Sequence, residues 1–101
     1  MREKNFDWKV WQLLKKIPRG RVTTYGAIAH KLRSKGYRAV GMACHRNPYT
    51  PVAACHRVVC SDGSIGGFGS GVKKKIHILE REGIKVRKNK IVDFEKVLYK
   101  F

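Results

Sequence analysis

Acidic residues are scarce in this chain. Seven aspartates and glutamates stand against 23 lysines and arginines in 101 residues, for a formal net charge of +16. A surface so short of negative charge attracts polyanions, DNA or RNA foremost. A purely solubilising basic surface is the plainer alternative. The cations are spread along the chain and not gathered in a tail, so the folded domain itself carries the field. Long apolar runs are also missing: no stretch approaches the roughly 18 residues of a membrane-spanning helix. The start, MREKNFDWKVW, has no signal-peptide apolar region, so a cytoplasmic protein with no membrane partner is expected. Only three cysteines are present, an odd count for a disulfide framework, and they are read as reduced thiols. Repeats and low-complexity linkers are absent, and the length fits one domain with one core.

What the chain has is a 43% apolar content, enough for that core, arranged at helical spacing. In NFDWKVWQLLKKI the residues Phe6, Val10, Leu13, Leu14 and Ile17 form one stripe, with Asn5 as candidate N-cap and PRGR at 18–21 as the stop. TTYGAIAHKLR predicts a second helix capped by Thr23 or Thr24, facing inward with Tyr25, Ile28, Ala29 and Leu32. After a turn at 34–36, YRAVGMACHRN predicts a third. Its Val40, Ala43, Cys44 and Asn47 share one face, and Arg38, Met42 and His45 lie on the other. Two helices across a short turn, the second with a cationic outer face, form a helix-turn-helix pattern. NPYTP breaks the third helix, and TPVAACHRVV is short, apolar and buried. A tight turn is expected at Asp62-Gly63. SGVKKKIHILEREG predicts a fourth helix with Val72, Ile76 and Leu79 inward and Gly83 just past its end. IKVRKNKIVDF alternates across Lys88-Asn89 and reads as a two-stranded ribbon. The class is mainly α, a winged helix-turn-helix-like three-helix bundle plus a fourth helix, with small β-hairpin additions.

The segment AACHRVVCSDGSIGGFG raises a chemical question at Cys55. A metal site is disfavoured, because the Cys-His pairs at 44–45 and 55–56 match no CxxC or HxxxH spacing and adjacent side chains on a helix point apart. Two readings stay open. A free cysteine is among the most buried residue types. It also becomes a nucleophile when a base removes its proton. His56 is adjacent and reaches the sulfur through a water, and Arg57 adds positive charge that favours thiolate. Glu82 closes the fourth helix, where a negative charge opposes the macrodipole unless it has a partner. It is either a solvated surface group or the carboxylate that orients His56.

In order along the chain, VWQLLKKIPRGRVTTYGAIA, RAVGMACHRNP, ACHRVVCSDGSIGGFGSG and KKKIHILEREG resemble the active-site, DNA-binding domain of the O6-alkylguanine-DNA alkyltransferases. The resemblance covers most of residues 6 to 83. It implies a single DNA-binding and active-site domain over 1–101, without the family's N-terminal domain, where the family's structural zinc sits when present. It implies no cofactor and a monomer whose partner is double-stranded DNA carrying O6-alkylguanine. Cys55 would be the alkyl acceptor, His56 the base acting through water, and Glu82 the group holding His56 in the right tautomer. Asn47 would order the segment, and Tyr25 would donate a proton toward the leaving guanine. Arg38 would wedge into the base stack as the nucleotide flips out through the minor groove. Thr24, Tyr25, Gly26, Ala39, Gly41, Met42 and Ser61 would also meet DNA. Met42, Val58, Gly66, Gly67, Phe68 and Gly69 would wall the substrate pocket. Minor-groove approach suits a protein that scans all sequences, because that groove carries little base information. Each molecule would act once, since nothing in the chain regenerates the thiol. The alternative is a sensor of the alkyltransferase-like kind, which binds alkylated guanine without accepting the group. Members of that group typically replace the cysteine, which this chain retains.

The sequence departs from the family in three places. Ala54 stands where proline usually precedes the cysteine, so a looser turn is expected. Phe68 stands where tyrosine is common. Gly69 and Ser70 reverse the usual small-polar and glycine order.

Overall fold

The amphipathic stripe of the first segment closes into helix α1, Phe6–Leu14, with Val10, Leu13 and Leu14 buried. The structure is a computed structural model that describes residues 6–33, 36–48, 53–68 and 71–101. The candidate cap Asn5, the turn residues 34–35, residues 49–52 with part of the breaker NPYTP, the candidate pocket residue Gly69, and Ser70 lie outside them. Helix α2, Tyr25–Lys31, starts where the side chain of Thr24 accepts the Ala27 amide at 2.9 Å, so Thr24 and not Thr23 is the cap. Helix α3, Tyr37–His45, buries Val40 and Ala43. It packs against both α1 and α2. Trp11 Nε1 donates to the Ala43 carbonyl at 2.8 Å, pinning α1 to the core face of α3. Asp7 receives two bonds from Arg46 just past the end of α3, at 2.6 and 3.0 Å.

Helix α4, Val72–Arg81, ends at Glu82, and Gly83 follows with φ +92 as a left-handed stop. Its inward face differs from the expectation. Val72 is exposed and Lys75 is fully buried beside Leu79. The apolar stripe was drawn through Val72, Ile76 and Leu79, and the three-residue step from Val72 passes through Lys75. Burial there is achieved by satisfying the ammonium, as described below. The ribbon is β3, Val86–Arg87, antiparallel to β4, Lys90–Ile91.

Two further elements carry no strong sequence signal. Strand β1, Thr23–Thr24, pairs in parallel with β2, Val58–Val59, in the register Thr23 to Val58. A short helix α5, Phe94–Val97, leads to a parallel bridge between Val22 and Leu98. The β1–β2 pair matters for the site, because it joins the start of α2 to the segment after Cys55. The core has two clusters, one among α1, α2 and α3, the other around Val22, Val59, Ile65, Leu79, Ile84 and Ile91. Among the described residues, no helix is long and apolar enough to cross a membrane.

Candidate active site

Cys55 opens a single turn of 3-10 helix, Cys55–Arg57, between the buried Ala53-Ala54 pair and β2. That turn is fixed from two sides. Asn47 Nδ2 donates to the Ala53 carbonyl at 2.6 Å, tying it to the end of α3. Downstream, β2 is paired with β1. The adjacent residues therefore point in opposite directions. The Cys55 side chain lines a cavity of about 730 Å³. The His56 ring is turned inward and is 4% exposed.

His56 Nε2 lies 2.9 Å from Glu82 Oε2. An ionised carboxylate only accepts, so Nε2 carries the hydrogen and Nδ1 keeps a free lone pair. Burial lowers the His56 pKa from 6.5, outweighing the upward pull of Glu82, so the ring is a neutral base at physiological pH. The Arg57 guanidinium, expected to add positive charge near the thiol, is engaged by Glu82 and Ile17. Its Nε and a terminal nitrogen grip both oxygens of Glu82 at 2.8 Å each, and its other terminal nitrogen reaches the Ile17 carbonyl at 2.7 Å. Burial alone would raise the Glu82 pKa, but the bonds from Arg57 and His56 prevail and hold the carboxyl below its usual value. Glu82 at the end of α4 is therefore a partnered carboxylate, not a solvated one.

The cavity is walled on one side by α3 through Arg38, Gly41, Met42 and His45, with Tyr37 and Cys44. Tyr25, from the first turn of α2, supplies a second wall, and Cys60, Gly66, Gly67 and Phe68 a third. Tyr37 and Met42 are exposed at 63% and 53%, flanking the exposed Arg38 on the outer face of α3. Ala39 is exposed on the same helix. Gly41 has open space where a side chain would stand. Gly66 takes φ +74, and a Cβ there would meet Cys60 Sγ at 3.2 Å and the Tyr25 ring at 3.5 Å. Its lack of a side chain lets Tyr25 lie against this wall. Ser61 is exposed on the turn, and its Oγ would lie 3.1 Å from a Cβ on Gly26. Val58 does not line the cavity; it is fully buried in the core beneath. Gly69 lies outside the described residues.

Sequence reasoning missed Lys75. Its Nζ donates to the carbonyls of Val58 at 2.7 Å, Ile65 at 2.6 Å and Gly67 at 3.2 Å. The same ammonium lies 5.7 Å from the Tyr25 ring centroid. It thus ties α4 to the segments on both sides of the cavity. Burial lowers its pKa from 10.5 to about 8. The cost of desolvating the Tyr25 phenolate, with the nearby thiols of Cys44, Cys60 and Cys55, pushes the phenol above 10.0, so Tyr25 keeps its proton. Burial, then the neighbouring Cys55, pushes the Cys44 thiol up to about 12, which makes it a neutral wall and no rival nucleophile. Among the described residues, no group of three or more His, Cys, Asp or Glu is placed to hold a metal ion.

This arrangement puts three thiols around an open cavity, of which Cys55 has a buried neutral base next to it in sequence, and a protonated phenol stands in another wall. Residues 5–84 match the family model described as 6-O-methylguanine DNA methyltransferase, DNA binding domain. A methylated-DNA–protein-cysteine methyltransferase of Thermococcus kodakarensis is 49% identical over 81 residues, covering 79% of this chain and 45% of that protein. The Mycobacterium leprae protein of the same name is 42% identical over 78 residues, covering 76% and 47%. The chain spans about half the length of these curated relatives. Mycobacterium tuberculosis OGT in complex with DNA superposes with a TM-score of 0.74 at 39% identity, covering 80% of this chain and 51% of that one. S. pombe Atl1 in complex with damaged DNA containing O6-carboxymethylguanine gives 0.79 at 31% identity and covers 100% of both chains.

Proposed function

The chain belongs to the family of the 6-O-methylguanine DNA methyltransferase DNA-binding domain, and from that premise we propose that it repairs DNA by moving the alkyl group of O6-alkylguanine onto Cys55. The observation that carries the reading is the placing of Cys55 on the cavity while His56 is locked to Glu82. An alkyl group on guanine O6 is out of reach inside a duplex, so the nucleotide rotates into the cavity. Arg38, exposed on α3 between Tyr37 and Ala39, fills the gap left in the stack. Binding draws chiefly on phosphates, for which the +16 charge is suited. Residues 1–101 act in this reading as one DNA-binding and active-site unit.

His56 Nδ1 takes the Cys55 proton through a bridging water. The thiolate attacks the alkyl carbon in line with the carbon–oxygen bond. The sulfur–carbon bond forms as the bond to O6 breaks, and the departing guanine takes its proton from Tyr25. The proton gained by His56 and the proton lost by Tyr25 are evened out through solvent. The product is a thioether, and each molecule turns over once.

The test is intact-protein mass after incubation with a duplex carrying O6-methylguanine. One added methyl, located on Cys55 and absent in Cys55→Ala, is the expected result. The full-length match to Atl1 favours a second reading, in which the chain binds alkylated guanine and leaves it unchanged. Lesion binding without a mass change would select that reading.

A further inference from the structure

The segment KVRKNK, residues 85–90, lies beyond the matched residues 5–84. It forms the β3–β4 hairpin and carries Lys85, Arg87, Lys88 and Lys90, all exposed, with no acid among them. Its turn residues Lys88 and Asn89 have φ of 51° and 61°. A two-residue turn with both central residues left-handed is the type that asparagine and glycine fit best. A lysine at the first of these positions accepts backbone strain and sets an ammonium at the tip.

The hairpin is fastened to one wall of the cavity. The Ile65 amide donates to the Asn89 carbonyl at 3.0 Å, and the Ile91 amide to the Gly63 carbonyl at 2.9 Å. Ser64 and Lys90 form an antiparallel bridge. Behind these contacts Ile84 and Ile91 are buried, and Phe94 packs where a Cβ on Gly63 would stand. The chain from Cys60 to Gly67 therefore has cavity-lining residues at its two ends and the hairpin along its middle. Neighbouring strands lie about 5 Å apart, so Lys88 and Lys90 stand beside the wall that α3 does not supply. Asp62, an acid near Lys90, is engaged by Ser64, whose amide and hydroxyl donate to it at 2.9 and 2.7 Å.

We propose that this hairpin is a wing that grips DNA phosphates beside the flipped nucleotide, with Lys88 and Lys90 as the contacts. The inference rests on the DNA-alkyltransferase reading above. α3 would hold the duplex on one side of the cavity and the wing would hold the backbone on the other.

The experiment is the salt dependence of binding to a fluorescent duplex, measured by anisotropy on the full chain. The test variant is Lys88→Asn with Lys90→Thr, chosen because asparagine fits the positive φ and threonine fits a strand. The control, Lys9→Ser with Lys16→Ser, removes the same charge from exposed positions in and just after α1. Each phosphate contact contributes roughly 0.9 to the slope of log affinity against log salt. The hairpin variant should lose about two from that slope, the control should match the parent, and both should still take an alkyl group from free O6-benzylguanine. A parental slope in the hairpin variant overturns the wing. An equal loss in the control overturns it too, since only the overall field would then matter. A parent that binds no duplex at all would instead sink the DNA-repair reading and the wing with it.

Discussion

Glu82→Gln tests whether one carboxylate both braces the fold and sets the base. Glu82 Oε2 holds His56 at 2.9 Å, and Arg57 grips both oxygens at 2.8 Å. The side chains of His56, Glu82 and Arg57 are 5%, 6% and 16% exposed, so these bonds form out of water. Removing one partner of a buried ion pair costs about 3–5 kcal/mol. Glutamine keeps one oxygen that accepts from Arg57, which returns part of this and leaves a loss of about 2–3 kcal/mol. For a domain of this size that lowers the melting midpoint by roughly 10–20 °C. The sign with pH is also fixed. The folded Glu82 pKa is depressed below 4.5, so its contribution is present above the unfolded value and fades as pH falls through the folded one. The gap between parent and variant should therefore shrink below pH 4.5. The glutamine amide can also donate to His56 Nε2, which shifts the ring hydrogen to Nδ1 and blocks the base. Transfer from an O6-methylguanine duplex should slow by about 10²-fold. Thermal melts across pH and single-turnover rates are the assays. A midpoint within about 2 °C of the parent, or a gap that ignores pH, would refute the reasoning.

Lys75→Met should leave the carbonyls of Val58, Ile65 and Gly67 unpaired and destabilise the fold at pH 7 by several kcal/mol, at about 1–3 each. Between pH 8 and 10.5 the unfolded lysine keeps a proton that the folded one releases, so parental stability relative to the variant should rise with pH. Denaturant titrations at pH 7 and 9.5 check this, and a difference that stays flat would contradict it. Gly66→Ala combines φ +74 with a Cβ 3.2 Å from Cys60 Sγ. It should cost about 1–3 kcal/mol and slow transfer by displacing Tyr25, and unchanged melts and rates would count against the role given to Gly66.

The helices were legible because their apolar residues recur at helical spacing and their ends carry punctuation, such as Thr24 before α2 and Gly83 after α4. The ribbon was legible from its alternation around Lys88-Asn89. The β1–β2 pair was not, because two residues per strand give no alternation and the pairing joins positions 35 apart, Thr23 to Val58. Helix α5 spans only Phe94–Val97, with Asp93 in a left-handed conformation before it, too short for any period to show. Lys75 stayed hidden for a different reason. Composition places a lysine outside, and only the tertiary convergence of three carbonyls makes it a core residue. Its one trace was a cation at the third position after Val72 in an otherwise apolar stripe. At the site, the sequence motifs indicated Cys55, His56 and Glu82, but the clamp of Arg57 on Glu82 depends on bringing residues 57 and 82 together. Cys44, expected on the core face, packs against the core there and also lines the cavity.

The alanine before Cys55 sits in a turn that its neighbours hold. Without proline's fixed φ, the turn at Ala54 was expected to be looser. Ala54 takes φ −84, close to the proline range, although nothing in its own side chain requires it. The restraint comes from the neighbours. The Ala53 carbonyl accepts both the Cys55 amide at 2.9 Å and Asn47 Nδ2 at 2.6 Å, and the Ala54 carbonyl accepts the Arg57 amide at 3.0 Å. Both alanines are fully buried. These bonds hold the turn along its length, and Asn47, at the end of α3, supplies one of them. The orientation of the thiol is thereby coupled to α3. A shift of α3 would pass through Asn47 to the Ala53 carbonyl and the Cys55 amide.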